Sequence, residues 1–182
     1  EQAMSASVFL ITTLFNLYLM VVLLRLWLQM ARADFYNPFS QFVVKATHPI
    51  VGPMRRIIPS IGTFDVATLV LAILVAMAKY LVLNLLFGGN INPVGLVIIA
   101  LLDVVKEFLT LVFWVLILRA VLSWVSQGRN PIEYVMQQLT EPFLAPIRRI
   151  IPPIGGLDLS VLIAIIALQA LQLVLRDYLP YY

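Results

Sequence analysis

The sequence lacks cysteine, contains a single histidine and is poor in charge. Without Cys the chain forms neither disulfides nor thiolate metal sites, and one His cannot make a metal site alone. Charged residues make up 12% of the 182 residues, whereas a soluble domain typically has about a quarter. The chain is 62% hydrophobic with a mean hydropathy of +1.00, and its apolar residues form long runs. These values indicate a polytopic membrane protein.

Residue patterns that would indicate catalysis are also lacking. The chain has no readable Ser/His/Asp constellation, no Gly-rich phosphate loop and no basic patch interleaved with aromatic residues for nucleic acid. His48, at the end of an amphipathic segment, is the only histidine. The sequence therefore predicts a protein that is not an enzyme and that uses no metal, cofactor or nucleic acid.

Four apolar segments have the length of a membrane span, because a hydrocarbon core of ~30 Å needs about 20 helical residues. We place these spans at residues 5–31, 66–87, 102–125 and 159–179. Residues 94–101 are also apolar, and a single helix from Val94 to Val125 would be about 48 Å long. They are therefore expected to form the outer end of the third span or a separate surface helix. The first run is too long, and lacks the basic flank, for a cleavable signal peptide. The prediction is one all-α membrane domain, residues 1–182, with four transmembrane helices.

One stretch of the chain occurs twice, at residues 37–65 and 130–158. An offset of 93 aligns the copies without a gap and preserves Asn37, Pro38, Thr47, Pro49, Pro53, Arg55, Arg56, Ile57, Ile58, Pro59, Ile61, Gly62 and Asp65. Such self-similarity indicates an internal duplication, with halves at residues 5–88 and 94–179. Because each half contains two spans, both halves should insert in one orientation, as parallel repeats about an axis along the membrane normal.

Basic residues are concentrated on the side of the membrane that carries the two motif copies. They are Arg32, Lys45, Arg55, Arg56, Arg129, Arg148 and Arg149. The loop at residues 88–93 on the opposite side has no basic residue, although Arg176 lies near that side. The positive-inside rule then predicts cytoplasmic motif loops and external termini.

Each motif copy begins with Asn-Pro, which is a helix-start signal with Asn as the N-cap. Apolar residues follow at helical spacing: Phe39, Phe42, Val43, Ala46 and Ile50, then Ile132, Val135, Met136, Leu139 and Phe143. About twelve such residues cannot span a bilayer, but an amphipathic helix of this kind lies in the interface or partly re-enters it.

Prolines are predicted to divide each motif copy into a helical hairpin, because a residue that precedes proline resists helical geometry. The expected order is a helix-ending proline, a proline that starts a short helical turn, a terminating proline, a glycine turn and an aspartate N-cap. These residues are Pro49, Pro53, Pro59, Gly62 and Asp65, then Pro142, Pro146, Pro152, Gly155 and Asp158.

Three roles are open for the arginine pairs Arg55-Arg56 and Arg148-Arg149, with Lys45 nearby. The first role is to determine topology, the second is to bind anionic lipid headgroups, and the third is to dock a protein partner. Near a charged leaflet each basic residue contributes about 1 kcal/mol to membrane attraction. The shared register after a proline favours a shaped site over simple charge.

Other charged residues fall inside the predicted spans, where a charge is costly and usually paired. Arg25 and Arg119 lie near the cytoplasmic ends, where snorkelling to the interface and pairing with the cap aspartates can both hold. A role as ion-pathway charges is the further alternative. Lys79 lies about 12 Å from the outer end of its helix, within reach of Asp103 and Glu107. A structural role, through an intramembrane ion pair or through snorkelling, and a role in permeation are the two interpretations of this group.

The repeated pattern Thr-x-Pro-x3-Pro-x-Arg-Arg-Ile-Ile-Pro-x-Ile-Gly-x2-Asp, preceded by Arg119-x3-Ser123-Trp124, resembles the YggT family, also called YlmG. The first copy departs from the Ser-Trp element, since Arg25 is followed by Leu-Trp-Leu-Gln. The resemblance covers essentially the whole chain. It implies a bacterial inner-membrane protein linked to osmotic tolerance, ion homeostasis and envelope or division-site organisation, and in plastids to assembly of membrane complexes.

Two classes of function follow from these features. The first is a structural or regulatory module whose basic hairpins engage anionic lipid, envelope or division partners, or further copies in a homo-oligomer. The second is an ion or osmolyte conduit along the pseudo-two-fold axis or an oligomer centre. The second requires intramembrane polar residues to line a path, and the candidates are Asn16, Asn84, Lys79, Asp103, Glu107, Gln169 and Gln172.

Overall fold

The computed structural model describes residues 5–125, 130–151 and 159–180. These residues form six helices: α1 (Ala6–Met30), α2 (Pro38–Ile57), α3 (Val66–Phe87), α4 (Pro93–Val125), α5 (Pro131–Ile150) and α6 (Leu159–Arg176). The predicted all-α class is confirmed. Pro152, Gly155 and Asp158 lie outside the described residues.

Three of the described helices, α1, α3 and α6, are long and apolar enough to cross a membrane. They contain 25, 22 and 18 residues, and they indicate a membrane protein. The predicted third span lies within α4, which has 33 residues and is therefore about 50 Å long. Residues 94–101 continue this helix without a break, so the alternative of a separate surface helix is wrong.

Side-chain caps explain where several helices begin and end. Asn37 accepts a hydrogen bond from the backbone N–H of Ser40 and starts α2, while Asp65 accepts one from Thr68 and starts α3, as predicted. Gly62 adopts a φ of +61° in the turn between these helices, a left-handed conformation that glycine adopts without strain.

The predicted division of each motif copy at a proline is wrong. Pro49 and Pro53 lie inside the 20-residue helix α2, and Pro142 and Pro146 lie inside the 20-residue helix α5. Proline has a φ compatible with the helix, but it removes one backbone donor and its ring crowds the carbonyl four residues earlier, so the disturbance is confined to about one turn. The four-residue spacing places both prolines of each helix on its exposed side, while the opposite side remains packed.

Each amphipathic helix packs beside the long helices of its own half of the chain. Helix α2 contacts α1 and α3, and α5 contacts α4 and α6, while α3 and α1 also pack against α4. The core between them contains Leu19, Leu23, Leu28, Leu116, Met136 and Leu139.

Two contacts tie α5 to the first half of the chain. Trp27 packs edge to face against Phe108 and Phe143, with ring centroids 5.4 Å and 5.8 Å apart. The backbone N–H of Asp34 donates a hydrogen bond of 3.0 Å to Oε1 of Gln138 in α5. The second amphipathic helix therefore rests on both halves.

Candidate functional site

The amphipathic helices α2 and α5 bury one side and expose the other. In α2 the fully buried residues are Val43, Ser40, Thr47 and Val51, whereas Phe42 is 63% exposed. The predicted apolar face is thus split between the protein core and the outside. The exposed apolar side chains are those that an interfacial helix would place among lipids.

An arginine–threonine hydrogen bond fixes each amphipathic helix to the first long helix of its half. Nη1 of Arg25 in α1 donates to Oγ1 of Thr47 at 2.9 Å, and Nη1 of Arg119 in α4 donates to Oγ1 of Thr140 at 2.8 Å. Each threonine hydroxyl donates in turn to a carbonyl of its own helix, so its orientation is fixed. No sequence signal pointed to a role for these threonines beyond their repetition, since Thr140 recurs at the offset of 93 from Thr47.

The first arginine of the first pair is held by a carboxylate. Arg55 donates through Nε and Nη2 to Oδ2 of Asp65, at 3.0 Å and 2.7 Å, and through Nη2 to Oε1 of Gln29 at 2.7 Å. Arg55 therefore joins the end of α2, the start of α3 and the end of α1. Asp65 was predicted as a partner of Arg25, but it accepts its hydrogen bonds from Arg55 instead.

The electrostatic environment of Asp65 favours its ionised form. Burial of the Asp65 carboxyl raises its pKa, but hydrogen bonds from Arg55 and Thr68 together outweigh burial, so the pKa lies below its ordinary value. The Arg55–Asp65 pair is thus a charged connection at the end of the amphipathic helix.

The corresponding arginine of the second pair also meets a carboxylate. Arg148 donates a hydrogen bond to Glu141, and the same carboxylate lies 3.7 Å from Nη1 of Arg119. Glu141 occupies the position of His48 in the first copy. A carboxylate thus holds the first arginine of both pairs.

The second arginine of each pair is exposed. Arg56 and Arg149 are the next-to-last residues of α2 and α5, and the last residues, Ile57 and Ile150, are 84% and 81% exposed. We name these four residues the basic ends. Lys45 is exposed as well. Of the predicted lipid-binding residues, the structure thus leaves three cations on the surface and ties two to carboxylates.

A second polar cluster lies deep between α1, α3 and α4. Nζ of Lys79 is 2.5 Å from Oδ2 of Asp103 and donates to Oδ1 of Asn16 at 2.9 Å. The hydroxyl of Tyr80 donates to Asp103 at 3.3 Å. Lys79 and Asp103 are 2% and 0% exposed, so this is a buried ion pair between two residues that the sequence placed within reach of each other.

Glu107 was also predicted to lie within reach of Lys79. In the structure it pairs with Lys106, the preceding residue. Its Oε1 lies 3.0 Å from Nζ of Lys106. Gln172, at the position of Lys79 in the second half, donates to Oγ1 of Thr110 at 2.8 Å and joins α6 to α4.

A cleft of about 620 Å³ opens between α1 and α4 beside this polar cluster. It is lined by Thr13, Asn16, Lys106, Glu107, Thr110 and Trp114, together with apolar side chains. In the part of the chain that the structure describes, no group of three His, Asp or Glu residues is arranged to hold a metal ion.

Three helices of membrane-spanning length, with two amphipathic helices fixed beside the bundle, define a helical membrane protein. The profile of the CCB3/YggT family matches residues 4–86 and 98–179, and the chain belongs to this family. The resemblance drawn from the motif is therefore confirmed.

Bacterial relatives match this chain over nearly its whole length. A Vibrio alginolyticus protein described as uncharacterised, in the proC 3' region, is 57% identical over 176 residues, which cover 96% of this chain and 95% of the relative. The uncharacterised protein YggT of Escherichia coli K12 is 47% identical over 176 residues, with 97% and 92% covered. The chloroplastic YlmG homolog protein 2 of Arabidopsis thaliana is 38% identical over 64 residues, or 35% of this chain and 26% of the relative. No solved structure matches the chain.

Proposed function

We propose that this protein is a structural or regulatory module of the bacterial inner membrane that engages anionic lipid headgroups through its basic ends. One observation carries this proposal. An exposed arginine followed by an exposed isoleucine ends each of two amphipathic helices, Arg56-Ile57 in α2 and Arg149-Ile150 in α5. An isoleucine enters the acyl boundary favourably, and the adjacent arginine then lies at the level of the phosphates.

The division of labour within each arginine pair supports a shaped site. Arg55 and Arg148 are held by carboxylates, so they position the helix ends and are less able to bind a headgroup. Arg56 and Arg149 keep their guanidinium groups exposed at equivalent positions. A guanidinium binds phosphate oxygens in a bidentate manner, which a lysine ammonium does not.

The proposed topology has four spans, with α4 crossing through residues 102–125, and parallel halves whose basic ends share the cytoplasmic side. The two segments matched by the family profile support a duplicated architecture. The basic residues of the motif side, set against the uncharged loop at residues 88–93, support the orientation. Roles in osmotic tolerance and in envelope or division-site organisation enter this proposal only through the resemblance to the YggT family. Lipid composition or partners would then act on α2 and α5.

The experiment measures anionic lipid retained by the purified protein. Wild type and the double variants Arg56→Lys/Arg149→Lys and Arg56→Gln/Arg149→Gln are extracted in mild detergent, and bound phosphatidylglycerol is quantified by mass spectrometry. Each contact is worth about 1 kcal/mol, so loss of one arginine should lower retention roughly fivefold. The Lys variant preserves topology but should still retain less lipid.

Arg32→Gln is the matched control for Arg56→Gln. It removes one exposed cation from the same predicted side but leaves both basic ends intact. Equal loss of lipid in Arg32→Gln and Arg56→Gln would show that simple charge is sufficient. Unchanged retention in the double Lys variant would exclude the shaped lipid site and leave topology determination or a docked protein partner as the role of the basic ends.

The conduit is the second candidate, and the cleft lined by Asn16, Lys106 and Glu107 is the observation that favours it. The direct pairing of Lys79 with Asp103 weighs against it, because both charges are satisfied by buried side chains. Ion flux into liposomes that contain the purified protein tests this candidate. Flux that Glu107→Gln abolishes would favour the conduit, and flux no greater than that of empty liposomes would exclude it.

A further inference from the structure

One side of α6 carries a regular stripe of exposed residues. Leu162, Ile166, Gln169, Leu173 and Arg176 follow at alternating steps of four and three residues, and all five are exposed. The two leucines and the isoleucine are between 54% and 60% exposed. Steps of four and three are the spacing at which one helix packs along another in a left-handed crossing.

Gln169 lies in the interior of this stripe and of the helix. It is about 15 Å from the start of α6 and about 10 Å from its end, at the depth of the hydrocarbon. Gln169 is an exposed residue, and its amide makes no side-chain hydrogen bond within residues 5–125, 130–151 and 159–180. Gln172, one turn further on, faces inward and donates to Thr110. An amide exposed to acyl chains requires a partner, since lipid offers no hydrogen bonds.

The same side of α3 forms an interface in the first half of the chain. At the offset of 93, Ala76 and Tyr80 correspond to Gln169 and Leu173. Ala76 is 0% and Tyr80 3% exposed, and the Tyr80 hydroxyl donates to Asp103 of α4. Helix α3 therefore uses this side to meet the next helix of the chain. In α6 the corresponding side is exposed.

We propose that a second copy of this chain covers the stripe, with α6 packed against α6 in a parallel two-fold pair. Copies inserted in one orientation are related by an axis along the membrane normal, so each residue meets itself at the same depth. A glutamine amide contains both a donor and an acceptor. Two Gln169 side chains at the axis therefore satisfy each other, while the leucines and isoleucine pack above and below. This inference rests on the membrane-spanning role of α6 and is independent of lipid binding at the basic ends.

The absence of native cysteine makes the interface directly measurable. Single variants Ile166→Cys and Leu173→Cys are oxidised in native membranes, and the disulfide-linked dimer is quantified on a gel. Leu171→Cys and Val174→Cys are matched controls, because these residues are 52% and 59% exposed but lie off the stripe. We expect dimers from the stripe positions and not from the controls. Equal crosslinking at all four positions would overturn the proposed face.

A second measurement isolates the amide pair. Gln169→Leu removes the amide without destabilising the monomer, because a leucine side chain faces acyl chains without cost. Its dimer dissociation constant in liposomes, measured by energy transfer between labelled copies, should rise about tenfold. Gln169→Asn should retain much of the affinity, since the shorter amide keeps both hydrogen-bonding groups. A Gln169→Leu affinity equal to wild type would overturn the amide pairing, and crosslinks to a different protein would overturn the second copy as occupant. Lipid retention at the basic ends should be unchanged in every variant.

Discussion

Arg25 in α1 and Thr47 in α2 are joined by a hydrogen bond of 2.9 Å in which both side chains are buried. Arg119 and Thr140 repeat this relationship between α4 and α5. A buried guanidinium requires an acceptor, and here the acceptor belongs to the helix that carries the basic end. The same bond therefore satisfies a charge within the bundle and fixes the amphipathic helix against it.

Replacing Thr47 by valine should destabilise the protein by roughly 1–3 kcal/mol, because the buried Arg25 loses its acceptor. The unfolding midpoint in detergent micelles measures this effect. Thr47→Ser retains the hydroxyl and should restore most of the loss. A serine variant no more stable than the valine variant would show that the methyl packing of Thr47, and not its hydroxyl, stabilises this site.

Asp65→Asn should lower stability by roughly 1–3 kcal/mol at neutral pH, because it removes a charge-assisted bond to Arg55. The folded-state pKa of Asp65 is lowered, so its contribution is present above the unfolded pKa of about 3.9 and is lost as pH falls through the lower folded value. The gap between wild type and Asp65→Asn should therefore narrow below about pH 4. Unfolding midpoints compared at pH 7 and pH 3 test this, and a gap that is constant with pH would contradict it.

The buried Lys79–Asp103 pair should show strong coupling. Removing one partner leaves an uncompensated buried charge, so Lys79→Leu or Asp103→Leu alone should cost roughly 3–5 kcal/mol. The double variant should recover much of that loss, because two apolar side chains replace the pair. A double-mutant cycle on unfolding midpoints measures the coupling. Additive losses would mean that the two charges are stabilised separately.

The orientation of the chain is tested with cysteines introduced at Ser60 and Asn90. Ser60 lies in the turn after α2 and Asn90 in the loop after α3, and both are exposed. An impermeant thiol reagent applied to intact cells should label Asn90→Cys, whereas Ser60→Cys should react only after the membrane is opened. Labelling of both sites from outside would contradict the predicted cytoplasmic side.

The sequence predicted those features that depend on local chemistry or on distance along one helix. Asn37 and Asp65 cap their helices because a short polar side chain reaches the next free backbone N–H. The Lys79–Asp103 pair followed from the expected positions of the two residues along neighbouring helices. The caps need only the reach of a short side chain. The ion pair needs only the rise of a helix per residue and the cost of a buried charge.

The features that were missed depend on tertiary packing. A proline usually ends a helix, but Val51 and Leu144 are buried beyond Pro49 and Pro142 and hold the chain in helical form across the lost bond. The partner of Arg25 could not be identified from sequence spacing. A carboxylate is the stronger acceptor, so a cap aspartate was expected in place of a threonine hydroxyl. Arg55 lies close enough to Asp65 to bind it, and Thr47 faces Arg25 across the α1–α2 contact.

The contacts of Trp27 with Phe143, and of Asp34 with Gln138, have a mechanical consequence. Helix α5 belongs to the second half of the sequence, yet an aromatic ring and a loop from the first half lie against it. Any displacement of α5 would therefore press on α1 as well as on α4. The first and second halves of the sequence are thus coupled mechanically at Trp27 and Asp34.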